Sequence, residues 1–400
     1  MSEKKQELDL EELNKEFKQE MEALDIPGDS GNNSGAERRT RSRKKEEKKG
    51  RKKSDSIKKV KPFYVVVIIL LIVLFLLFAT IAALFIMRNR GKDSLKQNQT
   101  EEVISAPEDA VVEDEGKLVV YKGERYCYNE NVISILCMGV DKTIQEEETD
   151  NVIGENGQAD TLFLAVFDAE TGQMSLLNIS RDSMVDVNRY NVEGQYLGTE
   201  EMQVCLAYAY GDGKGKSCEN VATSVSRLLY GMPINAYVAM DYSGISVLND
   251  EVGGVTIKVL EDMTGIDSEL SKGAEVTLTG EQAHDYVRRR DTSELDSNND
   301  RMERQKQYLL AFIDTVLKQT QNDVTTPVKL YRSAKDYMVT DIDVSEVTYL
   351  ASQMLRTGFS EGNMYSVPGK VIMGEKYAEF YPKEKKLYEL ILNLFYNKQN

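Results

Sequence analysis

Five arginines stand in two short runs: Arg288-Arg289-Arg290-Asp291 and, eleven residues after Arg290, Arg301-Met302-Glu303-Arg304-Gln305. In an extended segment residues two apart share a face, so Arg288 and Arg290 project together and Arg289 points away. On a helix Arg301, Arg304 and Gln305 share a face, at spacings of three and four. Guanidinium forks gathered in this way suit a pyrophosphate, whose oxygens accept paired N–H donors. The plain alternative for any one of them is a solvated surface charge.

Carboxylates accompany these arginines at the ends of apolar runs: Asp141 in Met138-Gly139-Val140-Asp141, Asp160 in Ala159-Asp160-Thr161, and Asp182 in Ser180-Arg181-Asp182. Magnesium is commonly held by one or two carboxylates together with substrate phosphates, and Asp141 with Asp160 are the candidates for that clamp, for Mg2+ or Mn2+. Taken singly, an aspartate at a strand end is more often a turn or cap residue. Combined with the arginines, the set makes phosphoryl transfer the economical reading. The lone histidine, His284, reads as helix surface, and no Cys/His spacing suggests nucleophilic catalysis.

These side chains need a rigid frame. Val132 to Gly139 is an almost continuous apolar run, as expected of a strand covered on both faces, with Asp141 just past its end. Thr161–Phe167 and Met174–Ile179 read as strands joined through Ala169 to Gly172, a turn short enough for an antiparallel hairpin. Further strands are expected at 235–240 and 255–260, around a helix from Tyr242 to Asn249. Ser217–Tyr230 reads as a helix ending at Gly231. Thr279 with Gln282 is a capping-box pattern opening the helix through Tyr286. A longer helix is expected over 300–318, with Leu309, Phe312, Ile313, Val316 and Leu317 as its buried stripe. Strands interleaved with helices imply an α/β fold, a three-layer α/β/α sandwich on a central mixed sheet.

Ahead of this body, residues 63–87 carry no charge, which at 1.5 Å rise per residue is long enough to cross a bilayer with some tilt. Residues 38–61 hold fourteen Lys or Arg against three acids, and 88–100 four against one. The N-terminus is therefore expected in the cytoplasm and everything after the span outside. The expected organisation is a tail over 1–62, a transmembrane helix over 63–87, a polar stalk over 88–131 with a short strand at Leu118–Tyr121, and a catalytic domain over 132–395. Within the tail, 8–24 has the spacing of an acidic amphipathic helix that could recruit a cytoplasmic partner, and the basic tract suits anionic headgroups. The net charge of −16 divides unevenly, +7 over residues 1–100 and −23 over 101–400, which argues against nucleic acid as the ligand of the outer domain. Cys205 and Cys218 flank a Gly-rich loop and could be bridged. Cys137 reads as a small core residue, with Cys127 either its partner or free.

The chain resembles the LytR-CpsA-Psr proteins of bacterial cell envelopes. The matching segments include Ile133 to Asp141, Asp160-Thr161, Ile179 to Asp182, Ala207 to Gly211, Gly231 to Ile234, Val252 to Val255, Leu278 to Ala283, Tyr286 to Arg290 and Arg301 to Gln305. The resemblance implies a membrane-anchored, Mg-dependent phosphotransferase that moves a glycopolymer, such as teichoic acid or capsule, from a polyprenyl-pyrophosphate carrier to peptidoglycan as a phosphodiester. It places the metal acids on Asp141 and Asp160, and the pyrophosphate-binding residues on Arg181, Arg288, Arg290 and Arg301, with Gln305 in the adjoining motif. Two departures stand out. Ser180 precedes the Arg-Asp pair where the family often has proline, and Asn298-Asn299-Asp300 precedes Arg301 where it often has Asp-x-Gly, so a carboxylate there either comes from Asp296 or Asp300 or is absent, and that role stays open.

In such a reaction a sugar hydroxyl attacks the phosphorus nearer the glycan while polyprenyl phosphate leaves, with Arg181 among the catalytic residues and Asp182 and Asp160 the two candidates for the base. Leu228, Leu229, Ile234, Tyr237 and Met240 could line a trough for the lipid tail, although an ordinary core uses the same residue types. The rival readings are a hydrolase that sends the same pyrophosphate to water, and a non-catalytic sensor that retains the lipid carrier.

Overall fold

A computed structural model of the chain describes residues 82–399 apart from 84, 142–143, 145–152, 155, 290–296 and 375–376, and the side chains of 297–299. The described residues all belong to one compact unit, within Val66–Asn400. The expected tail and nearly all of the expected span lie outside the described residues, as do Arg290, Asp291 and Asp296. Among the described residues no helix is long and apolar enough to cross a membrane.

The first described element is the helix α1, 85–97. Three short strands follow, β1 (Ala110–Glu113), β2 (Leu118–Tyr121) and β3 (Glu124–Tyr128), and then β4 (Val132–Val140), β5 (Ala159–Asp168) and β6 (Met174–Ile179). The hairpin β7 (Met184–Tyr190) and β8 (Tyr196–Gln203) precedes α2 (Gly215–Leu228), β9 (Ala236–Asp241) and α3 (Tyr242–Glu251). Next come β10 (Val255–Lys258), β11 (Glu275–Leu278), α4 (Gly280–Arg288), α5 (Ser297–Asn322) and α6 (Thr326–Ala334). The last part contains β12 (Met338–Thr340), α7 (Val344–Thr357), β13 (Met364–Ser366), β14 (Gly369–Met373), β15 (Ala378–Pro382), α8 (Glu384–Phe395) and β16 (Tyr396–Lys398).

The central sheet has six strands in the order β12-β9-β4-β5-β6-β13. It is mixed, because β4 and β9 run parallel whereas β4–β5 and β5–β6 are antiparallel. The period of two along β4 sorts its side chains: Leu136, Met138 and Val140 join a core with Val221 and Val225 of α2 and Ile391 of α8. Ile133, Ile135 and Cys137 face the opposite way, among Leu309 and Ile313 of α5 and Tyr349 of α7. Helices thus cover both faces, which is why the strand reads as apolar without alternation. Completely buried leucines such as Leu164 and Leu177 each contribute roughly 1.5–3 kcal/mol by leaving water.

The expected pair of strands around the helix at 242–249 is divided between two structures. β9 enters the main sheet, but β10 pairs only with β11, in a ribbon. This ribbon, α3, α4 and the first half of α5 enclose a separate small core of Tyr242, Val255, Leu278, Tyr286, Val287 and Tyr308.

The segment 88–131, expected as a stalk, is folded onto the body. β1, β2 and β3 form a four-stranded sheet whose last strand is β16, from the opposite end of the chain. The Thr100 and Ser105 amides donate to the Ile234 and Tyr230 carbonyls at 3.0 and 2.9 Å. Gly231, at φ +80°, makes that approach possible, because a Cβ there would stand 2.2 Å from the Val103 carbonyl oxygen. Helix α1 packs equally closely on α7: a Cβ at Gly91 would stand 2.3 Å from the Ser345 carbonyl oxygen, and Leu95 is fully buried. A polar, acidic composition conceals partners that lie far along the chain. The four cysteines are free thiols, so the Cys205–Cys218 bridge is not formed.

Candidate functional site

Strand directions bring the predicted carboxylates together. β4 ends where β5 begins, with Val140 opposite Ala159, and the parallel β9 ends at the same edge, with Val140 opposite Asp241. The antiparallel β6 finishes there too, with Ile179 opposite Leu162. Asp141, Asp160, the Arg181-Asp182 pair and the Asp241-Tyr242 junction therefore share one edge of the sheet. Asp141 is fixed by a reciprocal turn: its amide donates to the Gln158 carbonyl at 3.2 Å, and its Oδ1 accepts from the Gln158 amide at 2.6 Å.

Arg181 is the hub of this edge. One guanidinium nitrogen pairs with Asp160, another donates to Gln158 Oε1 at 2.6 Å, and Nε stands 3.7 Å from Asp182. Asp182 in turn accepts from Gln203 Nε2 at 3.1 Å. Burial lifts the Asp160 carboxyl above the usual range; the Arg181 charge opposes this, Asp141 reinforces it and Arg301 opposes it. Those four charged groups thus act within one field. The Cys205 thiol lies in the same environment, and burial pushes it up to about 12. It stays a neutral thiol at physiological pH and is no nucleophile.

The arginine segments arrive from the small core. Thr279 and Gln282 form the expected capping box at the start of α4. The helix continues through Arg288, and the extended backbone expected from Arg288 onward begins one residue later, at Arg289, so the two side chains point apart. The Arg288 guanidinium lies over the Tyr242 ring, 5.5 Å from its centroid, whereas Arg289 returns to Asp285 four residues earlier at 3.3 Å. Arg301 is buried on α5, and its charge acts on both Asp160 and Tyr242. Gln305 donates to the Val287 carbonyl at 3.1 Å. Arg304 has a structural task instead: it pairs with Glu261 and donates to the Tyr286 and Arg289 carbonyls at the end of α4. A cation among those last carbonyls suits the helix dipole and pins the arginine segment.

Behind the charged edge lies an apolar cavity of about 380 Å3 between the sheet and α5. It extends from Gly139, Thr161 and Tyr242 at the charged end to Ala165 and Met174 deeper along the sheet. A second apolar cavity of about 320 Å3 shares Val238, Met240, Leu248, Phe312 and Ile313 with it. The expected stripe of α5 lines these spaces, and its members are only half-buried. Of the residues expected to form a trough, Met240 lines it. Leu228, Leu229 and Ile234 are buried in the core on the other face of the sheet, and Tyr237 packs against that core. Alternation along β9 explains the division, since Val238 and Met240 face α5 while Tyr237 and Ala239 face α2.

Asp141 and Asp160 offer hard oxygens close enough to sense each other's charge. Among the described residues no group of three or more His, Cys, Asp or Glu gathers as a metal cage. Two carboxylates suit an ion that completes its shell with substrate oxygens and water, as magnesium does. Sequence reasoning missed Gln158 and Tyr242. Tyr242 carried a signal nonetheless, as the residue immediately after a parallel strand, where open α/β sheets collect ligands.

The model of the LytR_cpsA_psr family matches residues 88–394. Among curated proteins the chain is similar to the polyisoprenyl-teichoic acid–peptidoglycan teichoic acid transferase TagV of Bacillus subtilis, 28% identical over 235 residues, covering 57% of this chain and 54% of that protein. It is also 28% identical over 227 residues to the corresponding TagU of Enterococcus faecalis, covering 56% and 66%. The match to these relatives thus spans less than two thirds of their own length. The fold is similar to the crystal structure of B. subtilis TagV, with a TM-score of 0.51 at 24% identity over 66% of this chain and 96% of that one. It is also similar to that of gbs0355 from Streptococcus agalactiae, with a TM-score of 0.53 at 20% identity over 66% and 86%.

Proposed function

The chain belongs to the LytR-CpsA-Psr family, and on that premise we propose that it is a phosphotransferase that joins a glycopolymer, carried on a polyprenyl pyrophosphate, to peptidoglycan. One observation carries the reading: the charged edge of Arg181, Arg288, Arg301, Asp141 and Asp160 opens onto an apolar cavity of about 380 Å3. A ligand matching that shape has a diphosphate at one end and a hydrocarbon tail at the other. The activity by which the curated relatives are named, teichoic acid transfer to peptidoglycan, agrees with it.

In this mechanism Arg181, Arg288 and Arg301 neutralise and orient the pyrophosphate, and Gln305 lines the cavity beside them; Arg290, which lies outside the described residues, is assigned to the same ligand by the family motif alone. Asp141 and Asp160 would hold a divalent cation, Mg2+ or Mn2+, which when bound supplies additional positive charge to the phosphate oxygens. An acceptor sugar hydroxyl attacks the phosphorus that bears the glycan, the bond from that phosphorus to the bridging oxygen breaks, and polyprenyl phosphate departs with the electron pair. Asp182 takes the hydroxyl proton, because Asp160 is assigned to the cation and is the closer partner of Arg181, which stands 3.7 Å from Asp182. The same reading assigns the uncharged run 63–87 to a single membrane span, with the basic N-terminal side in the cytoplasm and the site outside, on the strength of its length and flanking charge.

The full chain, incubated with a glycan-loaded polyprenyl pyrophosphate and peptidoglycan, should yield glycan bound covalently to peptidoglycan. Release of only soluble glycan phosphate, with or without peptidoglycan, would make it a hydrolase and overturn the proposal.

A further inference from the structure

Two hydroxyl groups, those of Tyr242 and Thr161, meet where the charged edge joins the apolar cavity, each with the other as its neighbour. The Tyr242 side chain is 92% buried, at 8% exposure, and among the described residues the buried Thr161 hydroxyl is the one group its own hydroxyl meets. Both residues line the cavity, and the two hydroxyls are near neighbours. Other polar groups in the lining are engaged: Gln305 donates to the Val287 carbonyl and the Tyr308 hydroxyl donates to Asn249. A pair of hydroxyls shares one hydrogen and leaves the other O–H without an acceptor, which costs free energy when buried, and at the mouth of a cavity that donor indicates a ligand oxygen that accepts it.

The surroundings define that atom. The Tyr242 ring lies beneath Arg288 and edge-on to His284, so its orientation is fixed by its neighbours. Asp160, Arg301 and Asp141 all act on it electrostatically. Burial, and then the Asp160 charge, raise the phenol above its ordinary value, so it remains a proton donor across the physiological range.

We infer that Tyr242, with Thr161 beside it, binds the phosphate next to the lipid, donating to a non-ester oxygen of that phosphate at the point where the charged head meets the hydrocarbon tail. The inference rests on the carrier-lipid reading above and adds a subsite to it. Neutral donors suit this position because they satisfy a phosphate oxygen at an apolar boundary without placing another full charge against the cavity wall. In the transfer reaction that phosphate is the leaving group and gains negative charge as its bond to the glycan phosphate breaks, so donors here act where charge develops.

The test measures binding of farnesyl pyrophosphate, farnesyl phosphate and farnesol to the full chain in detergent micelles, for wild type, Tyr242→Phe and Thr161→Val. Tyr242→Phe keeps the ring beneath Arg288 and removes only the hydroxyl. The expected result is about a tenfold loss of affinity for both phosphorylated lipids with farnesol unchanged, and a smaller loss for Thr161→Val. Unchanged farnesol binding also certifies that the cavity is intact. If Tyr242→Phe binds farnesyl phosphate as wild type does, while wild type prefers it to farnesol, the subsite is wrong and the carrier reading stands. If wild type shows no preference for the phosphorylated lipids, the carrier reading fails and takes this inference with it.

Discussion

Arg288 closes one helix and Tyr242 opens another, yet the guanidinium lies over the phenol ring 5.5 Å from its centroid. The contact couples the small core to the edge of the main sheet and fixes an exposed arginine beside the acids. Such a pair contributes about 0.5–1 kcal/mol at exposed sites and more where water is excluded. Arg288→Ala should weaken farnesyl pyrophosphate binding by about tenfold, and Tyr242→Leu should lose both the platform and the hydroxyl. Because the residues touch, the double variant should lose less than the product of the single losses. Strictly multiplicative losses in a titration series would show that the stacking does not position the arginine.

Arg181 reaches Asp160 and Gln158 through different guanidinium nitrogens, an arrangement that an ammonium group cannot reproduce. Arg181→Lys should retain the charge and still reduce transfer by about 100-fold or more, in line with the loss of one well-placed donor to developing charge. Rates from a glycan-transfer assay on the purified full chain test this. Near-native turnover with lysine would reduce Arg181 to a generic countercharge.

Much of this frame was legible because a strand covered on both faces shows itself as an apolar run. The structure places β4 at Val132–Val140 and β6 at Met174–Ile179, where the pattern had put them. The acids just beyond those runs were visible for the same reason. Strand order was not visible: nothing local in Ala236–Asp241 states that it pairs in parallel with β4, so Tyr242 could not be placed beside Asp160. Nor can composition distinguish a packed stripe from a cavity wall. Phe312 and Ile313 have the spacing of either, and what separates them is the space the opposing sheet leaves unfilled. Residues 110–128 looked like a stalk because their partner strand lies at the other end of the chain.

Asp160 is held above the usual carboxylate range first by burial, against the pull of Arg181 and with the push of Asp141. A carboxyl that binds its proton more tightly when folded contributes stability at pH below its unfolded value, and loses it as pH rises through the folded value. Wild type at neutral pH has therefore lost that contribution, whereas Asp160→Asn has no proton to lose and still offers Arg181 an oxygen. With chelator present, Asp160→Asn should melt no lower than wild type at pH 7, the two should converge as pH falls toward 4, and transfer should be abolished. Thermal melts across pH decide it; a gap that widens on acidification contradicts the assignment.

Native alkylation should leave Cys205 untouched at pH 8, since burial holds its thiol at about 12 and only the thiolate reacts. Cys137, pushed up to about 11 by burial alone, should be slow as well. After denaturation without reductant, all four cysteines should label, because none is bridged. Mass spectrometry of the labelled protein measures both states. A Cys205–Cys218 disulfide would appear as a pair that labels only after reduction, and would contradict the packing around Arg181.

Filling the cavity separates lipid recognition from phosphate recognition. Ala165 lines the apolar space well below the charged edge, alongside Phe163 and Met174. Ala165→Phe would occupy part of the roughly 380 Å3 without touching Arg181, Asp160 or Tyr242. Added apolar volume in an existing void improves packing, whereas the same volume in a close-packed core strains it by about 1–3 kcal/mol. The melting temperature should therefore hold or rise. Affinity for inorganic pyrophosphate should be unchanged, because its partners remain in place, while affinity for farnesyl pyrophosphate should fall by at least tenfold as the tail loses its apolar contacts. Parallel titrations with the two ligands read the difference directly. Equal losses for both would mean that the substitution disturbed the arginines, and no loss for the lipid would move the tail out of this cavity.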